Sequence, residues 1–334
     1  MNIELIQALL ESLAVGDSLC KCTEFASRSQ IIDNFHEIKD YLKPSECLAH
    51  KDMKYATVTD DTQQNLFLIN DYIHSNEITP ELAAQSLARW FNETPNAYKY
   101  IGPSSQKAID AIENGMPITE SGIHGTSCGG IMRAPAAFLC STDLQSMEHI
   151  IECTLIPTHN TNIALEAAMG YGYALYALSQ TTDINVVTKQ AIIGCKKGRH
   201  FHPELNDSEC VPSCAARIKL LLKLMPRFGS DDKLLDFLFY CLGTTISSCD
   251  VFSASFGLFY WCRGDVYKSI RLSAMLGGDT DTIGCLSAVL CCMYAKGHNI
   301  PARIITDASR YNNIDFHEIS KQLYDYRTKR RDLT

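Results

Sequence analysis

The sequence predicts an all-α protein, an orthogonal assembly of many helices rather than a simple four-helix bundle. Three observations carry that expectation. Apolar residues recur at i, i+3, i+4 and i+7 in one segment after another, beginning with Ile6, Leu9, Leu10 and Leu13. No strand series, strand-glycine-helix dinucleotide motif or fixed-period repeat appears. Helix punctuation is frequent, as at Thr79-Pro80-Glu81, where a threonine N-cap precedes proline at the first helical position.

Taken in order, the first helix is expected over Asn2 to Val15, with Gly16-Asp17 ending it and Ser18 to Phe25 forming a loop. A second amphipathic run covers Gln30 to Leu42 and is stopped by Pro44. Ser45 to Val58 then connects to Thr59-Asp60-Asp61-Thr62, which stands directly before helical periodicity from Gln63 to Ser75. Helices follow over Pro80 to Asn92 and from Ile101-Gly102-Pro103 through Ile112. A long small-residue helix is expected from Thr158-His159 to Leu178, and the next covers Ile184 to Lys196. Lys197 to Glu209 reads as a surface loop. Further helices are expected at Cys214 to Met225, Asp231 to Leu242, Val251 to Tyr260, Val266 to Leu276 and Thr280 to Ala295, with shorter ones after Pro301 and Asp315.

The chain has 334 residues, 46% hydrophobic and 20% charged, which fits a globular protein with a large core. No Pro-rich or Ser/Gly-rich linker divides it, so residues 1–334 read as a single domain. A net charge of −8 with no long basic run argues against sequence-independent nucleic-acid binding. The basic tail, Arg327 to Arg331, reads as a solvated end. Fifteen cysteines, an odd number scattered through apolar runs, fit a reducing, cytoplasmic compartment better than a secreted disulfide framework. Cys210 and Cys214 lack a second pair for zinc. The first residues carry Glu4 and Glu11 and no basic head, unlike a signal peptide, and no long uncharged apolar run predicts a membrane span.

The chemistry concentrates at Gly277-Gly278-Asp279-Thr280-Asp281-Thr282. Carboxylates at i and i+2 inside a helix would diverge by about 200°. At a loop-to-helix junction, where glycine permits unusual dihedrals, they can converge on Mg²⁺, Mn²⁺ or Ca²⁺. The alternative is a plain helix N-cap. Thr59-Asp60-Asp61-Thr62 is a second such junction, as a two-cation site requires.

Between them lies a glycine-rich stretch, Gly122 to Gly130. It reads either as an anion cradle or as a tight crossing between helices. It is not a Walker loop. His159 either binds phosphate or caps its helix.

These motifs together resemble the ADP-ribosylglycohydrolase family. Gly16-Asp17-Ser18-Leu19 with Thr23-Glu24-Phe25 is similar to the family's opening motif. Thr59 to Gln63 resembles its TDDTQ, Ile101-Gly102-Pro103 its IGP turn, and Thr158-His159 its TH. GGDTDTIG matches unchanged. Gly129 to Pro135 resembles the family's glycine-rich segment, one residue shorter before the proline. The resemblance implies an all-α fold and two Mg²⁺ or Mn²⁺ ions held by Thr59, Asp60, Asp61, Asp279, Asp281 and Thr282. It further implies that the ions hold the ribose distal to adenine, with Asp60, Asp61 and Asp279 among the catalytic groups. Glu24 would be the general acid or base, its alternative being a capping acid. Gly125, Thr126, Ser127, Cys128, Gly129, Gly130, Met132 and His159 would bind ADP-ribose.

Three departures stand out: Cys20 replaces a glycine, Cys128 replaces a polar residue, and Tyr100 stands where some arginine-directed members carry an acid. The expected activity is release of ADP-ribose from modified protein side chains, arginine favoured. Serine-linked or small-molecule substrates and a silent ADP-ribose-binding member are the alternatives.

Overall fold

A computed structural model of the chain describes residues 1–204 and 211–331. Its described residues form seventeen α-helices and no sheet. In order these are α1 (Ile3–Cys20), α2 (Arg28–Asn34), α3 (Asp60–His74), α4 (Pro80–Glu93), α5 (Pro103–Glu113), α6 (Ile118–Ser121), α7 (Ala134–Cys140), α8 (Leu144–His159) and α9 (Asn162–Gln180). After them come α10 (Ile184–Arg199), α11 (Cys214–Leu224), α12 (Asp231–Phe237), α13 (Ser248–Cys262), α14 (Val266–Ala274), α15 (Thr280–Ala295), α16 (Ala302–Asn312) and α17 (Phe316–Arg331). None of the described helices is long and apolar enough to cross a membrane, and the described cysteines are all free. Cys210 and residues 205–209 of the expected surface loop lie outside the described residues.

The chain divides into two compact units, Met1–Thr59 with Ala216–Ser320 and Asp60–Ala215 with Lys321–Thr334. In the first, α1 packs along α15, while α13 and α14 pack on α15 and α16 on α1. Ile6, Leu9, Leu10 and Leu13 are all buried, as their stripe predicts. The helix does not end at Gly16-Asp17, however, but runs on to Cys20. A mid-helix glycine costs about 1 kcal/mol relative to alanine. Here it allows contact, because a Cβ on Gly16 would lie 2.6 Å from Gly284 O, and one on Gly284 2.7 Å from Gly16 O. The backbones of α1 and α15 touch at this pair.

The second predicted run is also corrected. Ser27 and Gln30 form a capping box that starts α2, but the helix stops at Asn34. Phe35 N makes the last helical bond, to Ile31 O at 2.8 Å, and Phe35 itself turns to extended backbone (φ −133°, ψ 129°), while Asn34 caps its side-chain amide onto Gln30 O at 2.8 Å.

In the second unit α9 lies along α10 and against α8, where its small residues permit close packing, and α3 packs on α4 and α7. Thr79 accepts from Leu82 N at 3.2 Å, the predicted cap of α4. Thr158-His159 does not open α9. It closes α8, and the N-cap of α9 is Thr161, which accepts from Ala164 N. The basic tail is no solvated end: Arg327 is buried and donates to Phe138 O (3.2 Å) and Leu139 O (2.7 Å) at the end of α7. Arg330 does the same for Ser75 O and Asn76 O just beyond α3. Both donate to carbonyls at or just past helix C-termini, where intrahelical donors run out; Phe138 O also accepts from Ser141 N and Oγ.

Candidate metal centre and catalytic loop

The first unit holds the GGDTDT junction, and its glycines are obligatory. Gly277 and Gly278 have φ of +89° and +81°, and a Cβ on Gly278 would sit 2.1 Å from Thr244 O. Thr244 O instead accepts from Asp279 N at 2.8 Å, which sets the entry to α15. Thr280 turns its hydroxyl inward onto Cys20 O at 2.9 Å. Asp279, Asp281 and Thr282, which flank it, are each buried to within 3% exposure. Asp281 Oδ1 accepts from Thr282 N at 3.0 Å.

The Glu24 loop is stitched to this junction. Phe25 N donates to Gly278 O (2.7 Å), Gly278 N donates to Ala26 O (3.0 Å), and Thr23 Oγ1 donates to Ala274 O (2.8 Å). Arg28, fully buried, fixes the loop's far end on Met275 O, Asp232 and Asp236. Cys20, the departure from glycine, is buried beneath the loop with its thiol on Ile270 O at 3.2 Å. A methylthiol at this place fills space against Gly284 without adding charge near Glu24.

These contacts bring Glu24 to Asp281, and with them a residue that sequence reasoning passed over. His50 Nε2 bonds the Glu24 carboxylate, and ligand atoms of Glu24, His50 and Asp281 all lie within 4.8 Å of one another. Leu48 N and Ala49 N both donate to the O of Cys22, two residues before Glu24, at 2.8 and 3.1 Å, which anchors the segment that carries His50. Burial holds the His50 imidazole below its ordinary value, against the pull of the Asp281 carboxylate. No short-range signal marks His50; it stands in an irregular segment twenty-six residues from Glu24.

Thr59, also in this unit, is buried and held by Asp17 of α1. Its N–H reaches Asp17 Oδ1 and Oδ2 at 3.0 and 2.9 Å, and its hydroxyl reaches Oδ1 at 2.9 Å. Asp17 thus fixes the residue immediately before Asp60. This explains physically why Gly16-Asp17 and Thr59-Asp60 belong to one pattern.

In the second unit Asp60 and Asp61 start α3, both buried, and Gln64 donates to Asp60 Oδ2 at 3.3 Å. Arg133 is 0% exposed and bonds only neutral side chains: Gln64 Oε1 (2.7 Å), Ser105 Oγ (2.7 Å) and Thr158 Oγ1 (2.5 Å). Burial pulls its pKa down to about 10, while the charges of Asp60 and Asp61 act to raise it. A buried cation behind two buried acids offsets part of their desolvation. Asn65 bridges Asp61 O and Met132 O at 2.7 Å each and accepts from Ala136 N, so α3 and the Met132 segment share one framework.

The glycine-rich stretch packs rather than opens. A Cβ on Gly122 would meet Ile156 O at 2.3 Å, one on Gly125 Thr158 O at 2.0 Å, and one on Gly129 the His159 ring at 2.7 Å. This is the tight-crossing alternative, with the end of α8 as the crossed helix. His159 is fully buried, its Nε2 on Ser127 Oγ (2.9 Å) and its Nδ1 on Thr158 Oγ1 (2.8 Å). Burial and the neighbouring Arg133 charge hold it well below its ordinary pKa, so it is neutral. Ser127, Gly129, Gly130 and Met132 are buried too; Thr126 is exposed and Cys128 half-buried. Tyr100, the third departure, donates to Gln63 Oε1 at 3.1 Å beside Trp90 Nε1 at 3.0 Å.

A family model described as ADP-ribosylglycohydrolase matches residues 3–332. The chain is 25% identical over 341 residues to the uncharacterized protein YegU of Escherichia coli (strain K12), covering 99% of each. It is 28% identical over 319 residues to an uncharacterized protein of Archaeoglobus fulgidus, covering 94% of this chain and 93% of that one. A solved structure described as an ADP-ribosylglycohydrolase-related protein complex matches with a TM-score of 0.64 and 20% identity, over 97% of this chain and 98% of that chain. At that identity the likeness speaks for the fold, which is all-helical in both sequence expectation and structure. With the family model spanning both units and nearly every residue, the chain belongs to the ADP-ribosylglycohydrolase family.

Proposed function

We propose that the chain is a metal-dependent hydrolase that removes ADP-ribose from modified protein side chains, arginine favoured. The observation that carries this reading is the placement of Glu24 beside Asp281, at the mouth of a helix whose first turn is rich in carboxylate and hydroxyl oxygen. One family model over both units supports treating residues 1–334 as one functional domain.

As ligands for two divalent ions we propose Thr59, Asp60, Asp61, Asp279, Asp281 and Thr282. The residues fit such ions: all are buried oxygen donors, a set that favours Mg²⁺ or Mn²⁺, and a buried guanidinium already balances Asp60 and Asp61. When bound, the ions supply Lewis acidity and fixed charge for orienting ribose hydroxyls.

Glu24 is the proposed general acid or base, with Asp60, Asp61 and Asp279 providing the negative field that favours oxocarbenium-like charge at the anomeric carbon. The tie from Phe25 N to Gly278 O holds Glu24 in place without a rearrangement. Thr126 and Cys128, the accessible side chains of the Gly125 to Gly130 stretch, are the proposed contacts to ADP-ribose. His159 acts through Ser127 as a positioning residue.

The uncharged Tyr100 favours a second reading, a serine-linked or small-molecule ADP-ribose derivative, because some arginine-directed members of the family carry an acid at that place. The deciding experiment measures free ADP-ribose released from arginine-modified protein, serine-modified protein and small ADP-ribosyl compounds with Mg²⁺ or Mn²⁺. Asp279→Ala and Asp61→Ala should abolish release, while Glu24→Gln should retain metal and lose turnover. Wild-type turnover in Asp279→Ala would end the metal-centre reading. Binding of ADP-ribose without any release would replace the hydrolase by a silent binding protein.

A further inference from the structure

His50 stands beside Glu24 and Asp281 yet belongs neither to the proposed ligand set nor to the proposed catalytic groups, and three observations bear on it. Its imidazole lies with ligand atoms of Glu24 and Asp281 inside 4.8 Å. Asp281 is 3% exposed, and its Oδ1 accepts from Thr282 N at 3.0 Å. A buried carboxylate incurs a desolvation cost that a cation beside it would offset. The segment bearing His50 is tied at Leu48 and Ala49 to Cys22 O, so the ring's position is built into the fold.

Imidazole nitrogen next to carboxylate changes which ion a site prefers. Mg²⁺ takes oxygen donors almost exclusively, whereas first-row transition dications accept nitrogen readily. A carboxylate that receives the other ring N–H of a metal-bound histidine fixes its orientation and raises its basicity. Glu24 bonds His50 Nε2, so it would stand in that relation to an ion held by Nδ1.

We propose that His50 is a nitrogen ligand to the ion beside Asp281, held in orientation by Glu24, and that this ion is a transition dication of the Mn²⁺-to-Zn²⁺ class rather than Mg²⁺. The inference rests on the metal centre proposed above and extends it to a residue outside the family motifs. It also gives Glu24 a second task, as the partner that keeps the imidazole aimed.

Pulsed EPR on full-length protein loaded with less than one equivalent of Mn²⁺ tests the nitrogen bond directly. Wild type should show ¹⁴N coupling from a bound imidazole, and His50→Gln and His50→Ala should lose it. Calorimetric competition should show Mn²⁺ affinity falling at least about tenfold in both variants, the cost of losing even an outer-shell partner. Mg²⁺ affinity should stay within about threefold, since Mg²⁺ gains little from nitrogen. Absence of ¹⁴N coupling in wild type, its persistence in both variants, or an unchanged Mn²⁺-to-Mg²⁺ ratio overturns the proposal. If circular dichroism shows that the variants do not fold, the wild-type spectrum decides alone. Nitrogen coupling without ADP-ribose release would uphold His50 as a ligand and remove the hydrolase reading; release with Mg²⁺ and no coupling would do the reverse.

Discussion

Replacing Gly16 by alanine puts the helix contact beneath the junction to a quantitative test. The added methyl would lie 2.6 Å from Gly284 O and 2.7 Å from both Gly284 C and Cys285 N. Ordinary contact is roughly 3.5 Å, so α1 and α15 must part by about 1 Å. All three opposing atoms are backbone and cannot rotate away. Overpacking of this kind costs about 1–3 kcal/mol, here toward the upper end, and the better helix propensity of alanine returns about 1 kcal/mol. The expected net loss is about 1–2 kcal/mol, a fall in Tm of roughly 1.5–3 °C for a chain of this size. Asp17, one residue on, would be displaced from Thr59, and α15 carries Asp279 and Asp281, so divalent-ion affinity should fall as well. Thermal unfolding by circular dichroism, with and without Mn²⁺, measures both effects. Gly229→Ala is the control: nothing lies within 4 Å of its added methyl, and it should stay within about 0.5 kcal/mol of wild type. A Gly16→Ala protein as stable as wild type would refute the claim that this glycine exists for backbone contact.

Arg133→Met should cost about 3 kcal/mol in urea unfolding, because it strips a buried cation from Asp60 and Asp61 and leaves Gln64, Ser105 and Thr158 without their donor; a loss under 1 kcal/mol would contradict the counter-charge role. His159, held well below its usual pKa of 6.5 by burial and Arg133, stays neutral when folded but takes a proton when unfolded in acid. Stability should therefore fall as pH drops below 6.5, by up to about 1.4 kcal/mol per pH unit. His159→Gln should lack that component when urea midpoints at pH 7.5 and 5.5 are compared, and equal falls in both proteins would exclude it. Arg327→Ala should lower stability by about 1–2 kcal/mol by removing the guanidinium donor from Leu139 O and one of the donors to Phe138 O at the end of α7, seen as a lower Tm; an unchanged Tm would return the tail to the status of a solvated end.

Elements with strong punctuation were legible. α15 begins and ends where glycine, N-terminal acid and apolar periodicity predict, and α4 begins at its threonine cap. The misplaced boundaries have different causes, one tertiary and one local. Gly16 reads as a helix stop because glycine is a poor helix former, yet α15 presses against it and the helix continues. Asn34 sits in a run with helical apolar spacing, yet Phe35 adopts extended backbone (φ −133°, ψ 129°) and the helix ends there. At the proposed site, the two Thr/Asp junctions stand out by their spacing, and the ligand set follows from the family resemblance. His50 and the roles of Asp17 and Arg133 do not stand out, because each depends on contacts from dozens to hundreds of positions away.

The glycine-rich stretch shows why composition alone decides so little about anion binding. Closely spaced glycines satisfy two different demands, amides pointed at a ligand or a backbone pressed against another backbone, and both look alike in sequence. What separates them is where the missing side chains would have gone. At Gly122, Gly125 and Gly129 that space is filled by the last turn of α8 and the His159 ring, so the first duty of these residues is to seat Ser127 and Met132 against a fixed wall. Any contact with substrate then falls to the side chains facing outward, Thr126 and Cys128. Substituting Gly125 should therefore act through stability and substituting Thr126 through binding. If Thr126→Ala left ADP-ribose affinity untouched while Gly125→Ala abolished it in a fully folded protein, amides rather than side chains would be the binding groups and the packing argument would fail.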